Sequence, residues 1–221
     1  MISCEYRKSS ILPPMIILTG VYGAKLMTHW ANFDRAKVIF NKSQWITSNA
    51  AIIYLSHLTS IFKGKKNGLI WDKHTSHYSD EVLQFIKKCN EDDTTNTSII
   101  FELVDEGLTP IIQVPDVAVN EVFKAGVKQH YHQYQSTLPV TIGKKVVVSR
   151  DMLVDFVLDT IREINDDNNE HQFIAESFKR CGLNLWSKEK SLEAFHNHLG
   201  VLRKNDVLRA MLTNQKALSL D

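Results

Sequence analysis

Apolar and polar positions along the chain repeat with two periods, one of two residues and one near 3.6, and the switches between them mark the expected elements. Leu12–Gly20 (LPPMIILTG) is an extended apolar stretch and Ala36–Asn41 (AKVIFN) a short alternating one, so both read as strands. The period then changes over Ile46–Phe62. Ala50, Ile53, Tyr54, Leu58, Ile61 and Phe62 recur at helical spacing behind Thr47 or Ser48 as N-cap. Lys63–Asn67 is a basic, Gly-containing loop, and Gly68–Trp71 is a four-residue apolar run that stops at Asp72, a buried strand ending in a carboxylate. Ser79–Asn90 reads as a helix whose opening Ser-Asp-Glu suits the positive N-terminus. The polar Glu91–Ser98 is a loop, Ile99–Val104 a further strand, and Glu106–Pro115 a loop carrying Gly107, Pro110 and Pro115. From Val117 to Tyr134 the period is helical, with Val119, Val122, Phe123, Val127 and Tyr131 on one face. Strands alternating with helices imply an α/β sheet covered by helices.

After Pro139 the character changes. Ser149 can cap a helix Arg150–Ile164, Asn165–Glu170 reads as an acidic linker, and His171–Gly182 as another helix with Gly182 at the C′ position. Leu192–Leu202 and Val207–Leu218 are further helical stretches, giving an expected all-helical tail over 149–221 behind an α/β domain over 11–138. There is no internal repeat.

Composition narrows the class. The 221 residues are 43% hydrophobic and 23% charged, with a net charge of +1, a balance that favours a folded domain over disorder. The longest apolar runs, such as Ile11–Leu18 with two prolines, fall short of the roughly 20 residues that span a bilayer. Glu5, Arg7 and Lys8 stand where a secretory signal would need apolar residues. Cys4, Cys89 and Cys181 are odd in number and far apart, which argues for a reducing compartment and against a disulfide framework or zinc motif. The near-neutral total hides an asymmetry. Residues 1–89 hold 12 Lys+Arg against 5 Asp+Glu, whereas 90–221 hold 14 against 20. A basic first half fits a nucleic-acid surface and equally fits a solvated lysine-rich face.

The chemistry centres on Asp72. A carboxylate at the carboxyl end of a strand sits where open α/β sheets place ligands, although a polar turn residue is the simpler reading. His77 follows five residues on, and Asp116 follows a strand, a loop and Gln113-Val114-Pro115. Two carboxylates brought to one sheet edge repel unless a divalent cation lies between them, and such pairs hold Mg²⁺ for phosphoryl transfer.

Three strings carry a resemblance. They are Trp71-Asp72-Lys73-His74-Thr75-Ser76-His77, then Gly107-Leu108-Thr109-Pro110 through Gln113-Val114-Pro115-Asp116 to Asn120, then Phe123-Lys124. Together they resemble the catalytic domain of pogo-like DDE transposases, of the mariner superfamily. There an Asp with a His five residues on is followed by a Gly-x-Thr turn, a Gln-Pro-Leu-Asp block, and an Asn and Phe-Lys on the next helix. Leu12-Pro13-Pro14, Trp45-Ile46-Thr47 and Ile174–Leu183 match flanking segments of the same family, so the resemblance covers about residues 11 to 185.

The resemblance implies a ribonuclease-H-like fold. It makes Asp72 and Asp116 the second and third acidic residues of a catalytic, metal-holding triad, with His77 beside them. It also implies Mg²⁺ or Mn²⁺ as cofactor, DNA as partner, self-association, no membrane, and a nuclear location. Lys63, Lys65 and Lys66 before Asp72, and Lys124 and Lys128 after Asp116, are then expected to contact phosphates, with exposed loop and helix lysines as the plain alternative.

The departures shape the expectation. Only eleven residues precede Leu12, so the strand bearing the first triad aspartate is missing; Glu5 and Asp34 are the only acidic residues before Asp72, and neither matches. Gln-Val-Pro-Asp replaces Gln-Pro-Leu-Asp, and the Asp72–Asp116 interval is long for the family. No helix-turn-helix domain precedes the catalytic portion. Two ligating aspartates leave a divalent site short of an anion, and loss of a central strand exposes a sheet edge. The expected function is a transposase-derived, DNA-binding DDE endonuclease domain that is catalytically impaired. The alternatives are a truncated form of an active cut-and-paste transposase and a non-catalytic protein-interaction scaffold. His130 and His132, and likewise His196 and His198, are two residues apart, so on a helix they face different ways and make poor metal pairs. Trp45 and Trp71 read as core aromatics.

Overall fold

The structure is a computed structural model that describes residues 1–19, 35–42, 45–92, 97–105, 107–139 and 146–183. The stretches at Leu192–Leu202 and Val207–Leu218, with His196 and His198, lie outside the described residues.

Among the described residues, six strands and six α-helices make a mixed α/β arrangement. β1 (Cys4–Glu5) pairs antiparallel with β2 (Ser10–Ile11). β3 (Met15–Thr19) and β4 (Lys37–Asn41) form a parallel pair in which Met15 faces Lys37 and Thr19 faces Asn41. Helix α1 (Ser48–Ile61) follows, and the Thr47 hydroxyl accepts from Ala50 N–H, which settles the cap on Thr47. β5 (Lys66–Asp72), α2 (Asp80–Glu91) and β6 (Ser98–Val104) make a second parallel pair around a crossover helix. A single turn, α3 (Thr109–Ile112), and a π-helical turn over Pro115–Val119 lead into α4 (Asn120–Thr137). α5 (Arg150–His171) and α6 (Phe173–Arg180) complete the described chain.

One helix ties the two parallel pairs together. Ala50, Ala51, Tyr54, Leu55 and Leu58 of α1 share a core with Met15 and Ile39 from β3–β4, Trp71 and Ile99 from β5–β6, and Val82 and Ile86 of α2. Burial of Tyr54 in that core pushes its phenol up to about 12. The opposite face of β3–β4 is covered too, since Leu18 and Ala36 pack on Val154 and Leu158 of α5. A third cluster joins Ile11, Val119, Ile161, Ile164 and Ile174, so α5 and α6 are fastened to β2 and to the π-helical turn.

Several elements differ from the sequence expectation. Lys66 and Asn67 extend β5 instead of belonging to the loop, because their backbone pairs with Ser98 and Ile99. Part of the expected loop before Asp116 is helical, with Pro110 in the first turn of α3, where its missing N–H is no loss. The acidic run from Asn165 is not a linker but continues α5. Asn165 itself reaches across the fold: its Oδ1 accepts from Ile11 N–H at 2.8 Å and its Nδ2 donates to Ile11 O at 3.1 Å. Gly182 adopts φ +73° just after α6, as a C′ glycine does. Trp45 is not a core residue; it is 72% exposed, outside the sheet that buries Trp71.

Candidate functional site at the end of strand β5

The string after β5 folds into a compact polar turn. Trp71 points to the core side of the sheet, and the ring of His77 lies flat on it, centroids 4.0 Å apart and planes 12° from parallel. A 3₁₀ turn over Thr75–His77 returns the histidine to the strand end. His74 caps that turn, its Nδ1 accepting from Ser76 N–H and lying 2.7 Å from Ser76 Oγ. Lys73 closes the other side, pairing with Asp105 at 3.2 Å while its N–H donates to Val104 O.

Asp72 therefore meets His77 directly. His77 Nδ1 lies 2.6 Å from Asp72 Oδ1 and 3.2 Å from the Asp72 carbonyl oxygen. Both neighbours are acceptors, so Nδ1 carries the proton, shared between two oxygens of one residue. The ring N–H holds the Asp72 carboxyl below the usual carboxylate range, outweighing the opposing effect of burial. His77 itself is buried, and its Nε2 has no hydrogen-bond partner.

Asp116 stands on the π-helical turn, which Asn120 N–H closes by donating to Pro115 O. Buried Val119 anchors the turn and leaves Asp116 exposed. Asn120 Nδ2 donates to Asp116 Oδ1 at 2.6 Å, a side-chain pair four residues apart. The Asp116-to-Asn120 spacing is a helical neighbour signal, yet the loop expected before Asp116 hid it. Asn90 and Asn165, whose amides clamp the backbone of Ile99 and of the distant Ile11, carried no signal in the chain.

The basic residues are all at the surface. Lys63 and Lys65 flank Gly64, whose φ of +75° makes the turn and whose N–H donates to Thr97 Oγ1, and Lys66 opens β5. Lys124 and Lys128 are exposed one turn apart on α4. His130 pairs with Glu163 of α5 at 3.2 Å, and His132 is exposed, so the two histidines face different ways.

The match that decides the family covers most of the chain. A family model described as DDE superfamily endonuclease matches residues 1–173. The chain belongs to the DDE superfamily of endonucleases. No curated protein and no solved structure matches it.

DDE superfamily nucleases use divalent metals, and the donor set here can be tested against one. Asp72 and Asp116 each have an oxygen engaged, one by His77 and the other by Asn120. Among the described residues no three His, Cys, Asp or Glu side chains converge to hold an ion. These residues do not fit a divalent cation as they stand, because hard cations gather six or more oxygens with several carboxylates among them. Among the described residues, no helix is long and apolar enough to cross a membrane.

Proposed function

We propose that this DDE-superfamily chain is a DNA-binding protein derived from a pogo-like transposase, with impaired endonuclease chemistry and a nuclear place of work. The observation that carries the reading is the commitment of Asp72 to His77, whose ring Nδ1 lies 2.6 Å from Asp72 Oδ1 and engages that carboxylate oxygen. The ribonuclease-H-like assignment rests on the β5–α2–β6 crossover with an acidic residue at the end of β5. DNA binding rests on five exposed lysines, Lys63, Lys65, Lys66, Lys124 and Lys128.

The test uses the purified chain on supercoiled plasmid with Mg²⁺ or Mn²⁺. No nicking is expected, and metal-dependent nicking abolished by Asp72→Ala would overturn the impairment. DNA affinity should fall steeply with salt, and each lysine-to-Ala change that removes a phosphate contact should flatten the slope of log affinity against log salt by about 0.9. A second reading, a protein-interaction scaffold, is favoured by the exposure of Ile70 and Ile100 on the outer face of β5–β6. Absent or salt-insensitive DNA binding would support it over the first.

A further inference from the structure

Among the described residues, non-glycine backbone enters the left-handed region at two places, Ser9 with φ +48° and Gln172 with φ +51°. L side chains crowd the backbone there, and glycine is the residue that adopts it without strain. Gly182 does so after α6, but the same conformation after α5 falls on a glutamine. Nothing local asks for that break. From Arg150 to Arg180 the sequence contains neither glycine nor proline, and Gln172 alone separates α5 from α6.

The two strained residues are the two sides of one contact. Ser9 closes the turn of the β1–β2 hairpin, its N–H donating to Tyr6 O at 3.1 Å, and its Oγ accepts from Ala175 N–H at 2.9 Å. Ala175 is the third residue of α6, whose N–H an N-cap side chain ordinarily satisfies, and Gln172 makes no such bond. Ser9 therefore caps α6 from 166 residues away. Beside it the Tyr6 ring meets Phe178 edge-on, centroids 5.4 Å apart. Packing depends on the break as well. Ile174 is fully buried in one cluster with Ile11, Val119, Ile161 and Ile164. In an uninterrupted helix it would stand about 80° from Ile164 and about 140° from Ile161 around the axis, away from that cluster. Contacts between distant segments thus hold the bend against the local preference of the chain for a single helix.

We propose that Gln172 is a two-state hinge. In the closed state, the one described above, Ser9 latches α6 and Ile174 covers Val119. In the open state Gln172 takes the right-handed conformation, its strain is released, α5 and α6 run on as one helix, and Ile11 and Val119 lose the cover of Ile174. Val119 anchors the π-helical turn that bears Asp116 and leads into α4, so the hinge governs how firmly that turn is held, with Lys124 and Lys128 behind it. Strained residues over-determined by their surroundings are where bistable packings are found. The hinge goes beyond the DNA-binding reading and does not depend on what the lysines bind.

The experiment places nitroxide-bearing non-natural residues at positions 155 and 180 of the full chain, both exposed in the closed state, so that Cys4, Cys89 and Cys181 stay unlabelled. Pulsed electron resonance then reads their separation. One continuous helix sets the two sites about 38 Å apart along its axis, and the bend that brings Ile174 back to Ile161 sets them closer. Two distances are expected, the longer one in the minority. Gln172 is exposed, so replacing it changes backbone preference and little else. Gln172→Gly should cut the longer population on the order of fivefold, and Gln172→Val, branched and poorest in the left-handed region, should raise it by about the same factor. Ser9→Ala, which removes the cap from the other side of the latch, should raise it too. A single short distance in all four proteins would overturn the proposal. So would a Val variant that unfolds instead of lengthening, or a longer population that does not rise in the order Gly, Gln, Val.

Discussion

Gly126→Ala sets helix propensity against packing at the seam between α4 and α5, the seam that holds the helix bearing Lys124 and Lys128. An ideal Cβ at position 126 would lie 2.6 Å from Thr160 Cγ2 and 3.3 Å from Thr160 Oγ1. Carbon atoms attract only at roughly 3.5–4.0 Å, so the contact is repulsive. Thr160 has little freedom to retreat. It is buried to 1% exposure, and its hydroxyl donates to Phe156 O at 2.7 Å, so swinging the methyl away breaks a hydrogen bond worth about 0.5–1.5 kcal/mol. In an exposed helix interior Ala is better than Gly by about 1 kcal/mol. Overpacking costs about 1–3 kcal/mol. The packing term wins, and the variant should be less stable by about 1 kcal/mol.

The double-mutant cycle with Thr160→Ser makes that reasoning refutable. Serine keeps the hydroxyl and deletes only the clashing methyl, at a cost of about 1 kcal/mol in an otherwise normal seam. In its presence Gly126→Ala should become stabilising, with a coupling energy of about 1–3 kcal/mol between the two positions. Urea unfolding followed by circular dichroism measures all four corners. A single Gly126→Ala that is more stable than the parent by about 1 kcal/mol, or two effects that simply add, would refute the close approach of α4 to α5.

Two further outcomes follow from the strand ends. Because His77 holds Asp72 below the usual carboxylate range, the pair's contribution to stability is fully present above about pH 4 and is lost as pH falls through the lowered value. Asp72→Asn should therefore destabilise at neutral pH by about 0.5–1 kcal/mol, a modest figure because the carboxylate is partly solvent-screened, and a deficit that persisted undiminished into strong acid would contradict the pairing. Asn90→Ala removes both hydrogen bonds to Ile99 and should cost about 1–3 kcal/mol in chemical denaturation; an effect under about 0.5 kcal/mol would mean that water serves that edge equally well.

The order of strands and helices from Met15 to Val104 was legible because period-2 and period-3.6 segments are bounded by strong punctuation, such as the Thr47 cap and the stop at Asp72, whereas the two-residue strands Cys4–Glu5 and Ser10–Ile11 were too short to show a period. What escaped the sequence depends on contacts between distant segments. The polar run from Asn165 reads as a linker by composition, yet the Asn165 amide is consumed by Ile11, 154 residues away, and the helix continues through it. Trp45 reads as core by residue type, but residue type says nothing about which side of a turn the chain takes. At the site, the pairing of Asp72 with His77 lies within a five-residue spacing and was within reach. The geometry at Asp116 was not, because a π-helical turn adds a residue to the helical count and moves the face on which the carboxylate stands.

The string from Trp71 to His77 looks catalytic in the sequence, and in the fold six of its seven residues have a defined structural task. Trp71 fills the core, His77 stacks on it and satisfies Asp72, Lys73 joins the ends of β5 and β6 through Asp105, and His74 and Ser76 close the turn. None of these contacts needs a cation to hold it. Losing the string would therefore gain nothing in stability, because replacing His77 takes away a donor to the Asp72 carboxylate and replacing Asp72 leaves the buried imidazole with only the backbone carbonyl of residue 72 at 3.2 Å. The same logic separates the lysines from the string. The side chains of Lys63, Lys65, Lys124 and Lys128 are exposed and anchor none of the packing described above, so the response of DNA affinity to their removal, and its dependence on salt, tests function apart from the fold.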